Sequence, residues 1–435
     1  MEANKIIEII NDYNYWGNFK AKISERDAIN VLKNNLNVPM INVVKGIRRA
    51  GKSSLVLKLI QELDMERSSL IINLEDPRLP FKIDSKFLME VFETYFIYVD
   101  PKGPKLVVLD EAQHAEGWER FARYIVETKK IKCIVTGSSS HLLSEEYATT
   151  LTGRHIDLIV FPLSFSEFLK FKKINATTTL EIEKKRLSIQ YALNEYIEFG
   201  GFPEVVLTDN KEIKENILRN YFDDILIKDI VKRYRIKLIS QIESVAKDCL
   251  ANIAGIASIR RLANSYDVSL RTVERFFNFF SNAYLFFFIK KFNFSKRMQE
   301  RSLVKAYIID NGFYSALGFK PIEQKDKLME NAVAVELVRR YGIENIFYWQ
   351  DYQHHEVDFV VKEGKIVKYL IQVTYASSKE EIKDREKDNL VGSAKEFKCN
   401  NLLIITWNYE TKEKYKGKII NFIPIWKWFL NTENI

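Results

Sequence analysis

The sequence predicts an α/β protein built on a parallel sheet with helices on both faces. Two observations carry that prediction. Short apolar runs at residues 40–44, 69–74, 105–111, 132–135 and 156–161 alternate with stretches of helical periodicity, and each run ends in a polar or acidic cluster. One run leads straight into a glycine-rich loop and then into an amphipathic stretch bearing Leu55, Leu57, Leu59, Ile60 and Leu63. In open sheets of this kind ligands sit at the carboxyl ends of the strands, so the polar clusters are the candidate functional positions.

The glycine-rich loop reads Gly46-Ile47-Arg48-Arg49-Ala50-Gly51-Lys52-Ser53 and fits G-x-x-x-x-G-K-[ST], the phosphate-binding P-loop. Its glycines let backbone N–H groups close around phosphate oxygens, and the helix start at Lys52 and Ser53 adds its positive dipole end. A chance glycine-rich turn would lack the strand before it and the helix after it. The motif assigns nucleotide binding to Gly46, Arg48, Arg49, Ala50, Gly51, Lys52, Ser53 and Ser54. Within it, Lys52 reaches the β- and γ-phosphates and the Ser53 hydroxyl ligates Mg²⁺.

The run Leu106-Val107-Val108-Leu109 ends in Asp110 and Glu111. Four apolar residues running into an acid are what a buried central strand presents at its carboxyl end. Asp110 is expected to hold Mg²⁺ through water, and Glu111 to polarise the attacking water. A helix N-cap with a charged first turn is the alternative for this pair. His114, in the same loop, is expected as a surface or supporting residue rather than a catalytic one. The run at 132–135 ends in Thr136-Gly137-Ser138-Ser139-Ser140. A polar residue there can touch the γ-phosphate or the lytic water. Ser138 is the candidate and Ser139 the second choice, against a plain N-cap for a helix beginning near His141. Arg154, just before the run at 156–161, is a candidate phosphate contact in cis or an arginine finger in trans, with a surface arginine as the alternative.

The chain has 435 residues, too many for one compact core, so two or three domains are expected. Hydrophobic residues at 46% and charged residues at 29% describe a globular rather than a disordered chain. A net charge of +8 permits an acidic polymer as partner without demanding one. Cys133, Cys249 and Cys399 are too scattered for a disulfide framework or a zinc site, which points to a reducing compartment. The amino terminus is charged from residue 2 and lacks a signal-peptide core. Residues 276–289 are rich in phenylalanine but contain Asn278, Ser281 and Asn282, and fall short of the about 20 apolar residues of a membrane span. They are expected in a core, and the protein in the cytoplasm with no membrane segment.

The segments GIRRAGKSS, LVVLDEAQHAEGWERF, VTGSSSHLLSEEYATTLTGRHIDLIVFPLSFSEFL and EFGGFPEVVL together resemble the AAA+-type prokaryotic ATPases of archaea and bacteria. The resemblance covers nearly the whole chain, and its T-G-S-S, L-x-G-R, P-L-S-F-x-E-F and G-G-F-P blocks are more specific as a set than the P-loop alone. It implies ATP as the nucleotide, consistent with the lack of an N-K-x-D guanine-reading segment. It further implies Mg²⁺ as cofactor, ATP hydrolysis as the activity, and a C-terminal region of largely unknown role. In that family the Gly200-Gly201-Phe202-Pro203 block starts a helical lid near the adenine, which places Pro203 against that pocket; a domain-boundary turn is the alternative.

Beyond Pro203 the pattern turns helical. Residues 258–264 and 269–277 form a helix–turn–helix with Ser269 as N-cap, and residues 286–291 and 304–309 resemble the strands of a winged helix. Residues 257–305 carry ten basic side chains against three acids, a net of +7. That concentration is the footprint expected of duplex DNA binding through Arg260, Arg261, Arg271, Arg275, Lys290 and Lys291, with a packing or protein-interaction module as the alternative. In the last segment, Glu336, Asp358 and Gln372 fit the acid pattern of a restriction-endonuclease-like fold, but Thr374 stands where its lysine belongs, so a catalytically silent domain is expected. His354 and His355 alternate across a strand and do not share an ion. The expected organisation is therefore a P-loop ATPase domain at 1–203, a helical lid and winged-helix module at 204–318, and a smaller α/β restriction-endonuclease-like domain at 319–435. The expected function is an ATP-hydrolysing molecular switch, possible as an oligomer. The alternatives are a DNA-binding or nucleolytic defence or mobile-element protein regulated by ATP, and a signalling scaffold without DNA.

Overall fold

The computed structural model describes residues 1–435 except 15, 17–22, 104, 139–152, 177, 320–323 and 431–435. It comprises two compact units, Met1–Phe161 and Pro162–Ile435. No helix among the described residues is long and apolar enough to cross a membrane.

The first unit contains α1 (Ala3–Asn11), α2 (Ala28–Asn35), β1 (Ile41–Lys45), α3 (Lys52–Glu62), β2 (Ser69–Asn73), α4 (Ser85–Val99), β3 (Leu106–Asp110), α5 (Trp118–Arg123), β4 (Lys132–Gly137) and β5 (His155–Ile159). Its main sheet has five parallel strands, in the order β2-β3-β4-β1-β5, beside a two-stranded ribbon of residues 83–84 and 115–116. β1 is buried at every residue, and β3 at all but its last. Strands covered on both faces lose the alternation of an exposed strand, which is why these runs read as continuously apolar. Alternate residues of the sheet (Ile41, Val43, Leu70, Ile72, Val107, Leu109, Cys133, Val135) share one core with α1, α4 and α5. Asp84 starts α4 by accepting the N–H groups of Lys86 and Phe87 at 3.1 and 2.9 Å. The outer strand β2 does not end in open backbone: the Asn14 carboxamide donates to the Ile71 carbonyl at 2.9 Å and accepts the Ile71 N–H at 2.8 Å, mimicking a further strand.

The second unit opens with α6 (Phe165–Phe171), α7 (Arg186–Phe199), α8 (Pro203–Leu207), α9 (Lys211–Asp224) and α10 (Ile239–Ala251). There follow β6 (Ile256–Ala257), α11 (Ile259–Ser265), α12 (Leu270–Asn282), β7 (Phe286–Lys291), β8 (Val304–Ile308) and α13 (Lys325–Tyr341). The chain finishes through β9 (Ile346–Gln350), β10 (Glu356–Glu363), β11 (Ile366–Thr374), α14 (Asp384–Glu396), β12 (Leu402–Thr406), β13 (Thr411–Tyr415), β14 (Lys418–Pro424) and α15 (Ile425–Phe429). Ser269 caps α12 as expected, accepting the Thr272 N–H at 3.1 Å. The phenylalanine-rich stretch is core: Phe276, Phe277 and Phe280 of α12 are buried, and Phe277 stacks on Phe288 of β7 at 4.2 Å.

The strands of this unit form one mixed sheet in the order β13-β14-β12-β11-β10-β9-β7-β8-β6. The expected boundary at 318/319 therefore passes between strands of a single sheet, because β7 pairs with β9 in parallel through Lys290–Phe347 and Lys291–Tyr348. Within the same unit, the Gly200-Gly201-Phe202-Pro203 block is bolted to Asp310. The Asp310 carboxylate accepts Gly201 N–H at 2.7 Å and Gly312 N–H at 2.9 Å. A Cβ on Gly200 would lie 1.7 Å from Asp310 Oδ1, and the backbone there (φ 74°, ψ −159°) is one that essentially only glycine adopts.

Two measurements check this joint. Gly200→Ala lowers the unfolding free energy by at least about 2 kcal/mol, whereas Gly364→Ala, at positive φ but with nothing within 4 Å, costs about 1 kcal/mol or less; thermal and urea melts decide. Burial pushes the Asp310 carboxyl up to about 7, against the pull of the Gly201 and Gly312 amides. An acid whose folded pKa is raised contributes stability that is complete below its unfolded pKa of about 4 and is lost as pH rises through about 7. Wild type therefore loses stability across that window relative to Asp310→Asn, whatever the variant's absolute stability, in denaturant melts taken at a series of pH values.

Candidate functional site

The loop after β1 and the carboxyl ends of β3 and β4 meet at one end of the first sheet. Gly46 has φ 146°, and a Cβ there would lie 2.1 Å from the Val160 carbonyl, so the close approach of loop to strand demands glycine. Gly51 adopts the left-handed conformation that opens α3. Lys52 is buried, with Nζ donating to the carbonyls of Gly46 and Ile47 at 3.1 and 3.2 Å and lying 3.8 Å from Glu111 Oε1. An ammonium held at the mouth of the loop by its own carbonyls is placed for an anion seated on the loop amides.

Ser53 Oγ donates toward Asp110, 3.0 Å from both of its oxygens. Since β4 lies between β1 and β3, its side chains fill the gap between the P-loop strand and the acid-bearing strand. Thr136 does so: its hydroxyl donates to Asp110 Oδ1 at 2.5 Å and accepts the Glu111 N–H at 3.1 Å. Burial raises the Asp110 pKa, with the neighbouring Glu111 charge adding to it, while Thr136, Ser53 and Lys52 pull it down. Glu111 sits at φ 56°, and its Oε2 accepts from Gln113 Nε2 at 2.5 Å and from the Ser138 N–H at 3.1 Å. Ser138 thus lies beside Glu111 through its backbone; Ser139 falls outside the described residues.

Arg48 Nη2 lies 3.2 Å from Glu75 Oε1, and His114 Nε2 lies 3.3 Å from the same oxygen. The His114 hydrogen bond, reinforced by the Arg48 charge, holds Glu75 at about 2. His114 thus meets the same carboxylate as Arg48.

Sequence reasoning did not single out Thr136 or Arg26. The buried Arg26 guanidinium donates to the carbonyls of Ala50 and Phe161, each at 2.8 Å, and so braces the P-loop from behind. A threonine within an apolar run reads as a strand former, and an isolated arginine ahead of a helix carries no signal of burial.

Arg154 requires a correction. β5 runs parallel to β1 with His155 opposite Ile41, so Arg154 precedes the amino end of the strand, whereas the P-loop follows the carboxyl end. Five residues of strand separate the two ends by roughly 16 Å, and Arg154 Nε pairs with Glu127 at 3.0 Å. It is not a cis ligand of a phosphate on the P-loop. Pro203 belongs to the second unit, at the first position of α8.

The basic cluster at 257–305 is less free than its charge suggests. Arg261 is bound to Asp248, Lys290 to Glu300 at 2.7 Å, and Lys305 is buried between Glu330 and Glu356. Arg260, Arg271 and Arg275 are exposed on α11 and α12. Glu336 does not meet Asp358: it is held by Arg339 and, at 2.7 Å, by Arg340. His355 Nδ1 pairs with Asp351 at 2.7 Å, and among the described residues no group of three or more His, Cys, Asp or Glu side chains is placed to hold a metal.

With this geometry in hand, comparison with known proteins places the chain. Residues 39–169 match a family described as an AAA domain, and residues 190–325 and 325–428 match two domains of unknown function (DUF8612 and DUF4143). An uncharacterized Methanocaldococcus jannaschii protein, MJ1544, is 36% identical over 426 residues, spanning 94% of this chain and 92% of its own. An uncharacterized Haemophilus influenzae protein is 26% identical over 420 residues, 94% of this chain and 99% of its own. Among solved structures, the Walker-type ATPase PABY2304 of Pyrococcus abyssi aligns over 68% of this chain and 96% of that one, at 14% identity and a TM-score of 0.47. The chain belongs to the family of the Methanocaldococcus jannaschii protein, in which an AAA-type P-loop domain is followed by two domains of unknown function.

Proposed function

We propose that the first unit binds ATP with Mg²⁺ and hydrolyses it. The observation that carries this reading is the chain of hydrogen bonds linking Ser53, Asp110, Thr136 and Glu111 opposite the Lys52 ammonium. A half-buried carboxylate whose nearest donors are two hydroxyls is short of positive charge, and a divalent cation supplies it. Ser53 and Asp110 are the residues that would hold that ion, consistent with the raised pKa of Asp110 in its absence. Held there, the ion would supply neutralisation of the phosphate charge.

The remaining chemistry belongs to the chain. The amides of residues 46–53 cradle the phosphates, and Lys52 leaves its loop carbonyls to meet them. Glu111 orients and polarises the attacking water, which displaces ADP from the γ-phosphorus. Its Oε2 is already tied to Gln113 and the Ser138 amide, so Oε1, which faces the Lys52 ammonium at 3.8 Å, is the end left for that task. Arg154, at the far end of its own sheet, reaches a phosphate only in a neighbouring copy, which makes oligomerisation part of this reading.

A second reading is duplex DNA binding by the second unit. It is supported by the order helix, short strand, two helices and two strands, with β8 antiparallel to both β6 and β7, which is the order expected of a winged helix, and by the exposure of Arg260, Arg271 and Arg275. The neutralised Arg261, Lys290 and Lys305 reduce the charge available to it.

Steady-state hydrolysis, with and without duplex DNA, tests both. Wild type turns ATP over, and Glu111→Gln retains binding while turnover falls by about 100-fold or more. Turnover that ignores Glu111 sinks the mechanism; stimulation by DNA, steeply weakened by salt, supports the second reading. Thr136→Val keeps the strand but strands two polar groups, so stability drops by about 1–3 kcal/mol. Turnover falls about 10-fold or more with nucleotide Kd changed by less than about 5-fold, since Thr136 positions both acids rather than touching the nucleotide.

A further inference from the structure

The second unit contains an ionic centre that nucleotide chemistry does not use. Lys305 of β8 is only 3% exposed, and its ammonium lies 3.0 Å from Glu330 Oε1 and 2.6 Å from Glu356 Oε1. Tyr307 donates to the same Glu330 oxygen at 2.7 Å, and Gln350 Nε2 donates to Glu356 Oε2 at 3.1 Å. Asp358 is buried in the same charge field, accepting the Val373 N–H at 2.8 Å. The irregular register between β9 and β10, where Phe347 meets Val360 but Trp349 meets Val357, brackets Asp358.

An acid on a helix and an acid at a bulged strand are the raw material of a divalent-cation centre of the restriction-endonuclease kind. The helical acid facing this cluster is Glu330, however, and not Glu336. The residues do not fit a metal. No three acidic side chains among the described residues converge on an ion position. The space between Glu330 and Glu356 is taken by an ammonium, whose contacts are only slightly longer than the about 2.0–2.6 Å of Mg²⁺ or Ca²⁺ to oxygen. Two cations cannot share it.

We infer that Lys305 is a built-in replacement for that divalent cation, a tethered counter-ion that occupies the centre and leaves it structural rather than hydrolytic. An ammonium balances charge, but it has no open coordination site and cannot lower the pKa of a bound water as a metal does. One positive charge against three carboxylates leaves a deficit. Burial, followed by the Glu330 charge, raises the pKa of Asp358 well above the ordinary carboxyl value, which favours its protonated form and eases that deficit.

The test uses the full chain with Asp110→Asn, which removes the proposed nucleotide-site metal. Calorimetry with Mn²⁺ and tyrosine-sensitised Tb³⁺ luminescence are the readouts, since Tyr307 touches Glu330 and Lys305 Nζ lies 5.7 Å from the Tyr348 ring centre. Adding Glu330→Gln to that background is expected to change neither signal. Adding Lys305→Met, which keeps the bulk and removes the charge, is expected to create one new saturable site that a further Glu330→Gln abolishes. A Glu330-dependent ion site while Lys305 is intact overturns the inference. So does a Lys305→Met protein that melts as a folded chain and gains no site. Should that variant fail to fold, the comparison with Lys305 intact decides alone.

Discussion

Placing a half-buried carboxylate at the end of a strand that is covered on both faces sets the terms for the nucleotide site. Asp110 is only partly open to solvent there, and an isolated charge in such a place is costly. Its neighbours are accordingly arranged to meet it. Ser53 comes from the first turn of α3, Thr136 from the strand between β1 and β3, and the P-loop lysine stands beyond Glu111. The order of strands makes this arrangement possible, because β4 is interposed between the two strands that carry the motif residues. The Arg26 clamp and the Arg48–Glu75–His114 bridge then hold the loop from behind and from its rim.

The same problem, a buried acid in search of a cation, is answered differently in the second unit. There the cation is covalently part of the chain. Lys305, Glu330, Glu356 and Asp358 come from β8, α13 and β10, so their mutual attraction ties elements far apart in sequence to one another. Breaking one partner of such a network exposes the others to an uncompensated charge, which makes the centre sensitive to substitution even where it does no chemistry.

Much of the first unit was legible in the sequence because its signals are local. The P-loop spans a few consecutive residues, and an apolar run ending in Asp110 and Glu111 needs no knowledge of neighbours. The end of the sheet on which Arg154 lies was also implicit, since a residue that precedes a parallel strand sits opposite its carboxyl end. Side chains whose meaning depends on distant partners were not legible. Lys305 within Val-Lys-Ala-Tyr reads as the solvent-facing position of a strand until Glu330 and Glu356 are brought onto it. Glu330 and Glu336 lie six residues apart on one helix, which at about 100° per residue turns them to different faces. Only the fold reveals which of the two meets Lys305. The G-G-F-P block was visible as a signature, but its cause was not: Gly200 is required by a carboxylate more than a hundred positions later, and Gly201 by the Leu163 carbonyl, 2.4 Å from where its Cβ would lie.

Family boundaries drawn from sequence place a junction at residue 325, between β8 and β9. In space that junction falls inside a continuous ladder, where β7 hydrogen-bonds to β9 and the Phe292 N–H is accepted by the Tyr348 carbonyl at 2.6 Å. A chain cut or recombined there would bare a row of unpaired backbone groups on each piece and invite intermolecular pairing. The two regions are separate as units of recognition but belong to one compact unit of the fold.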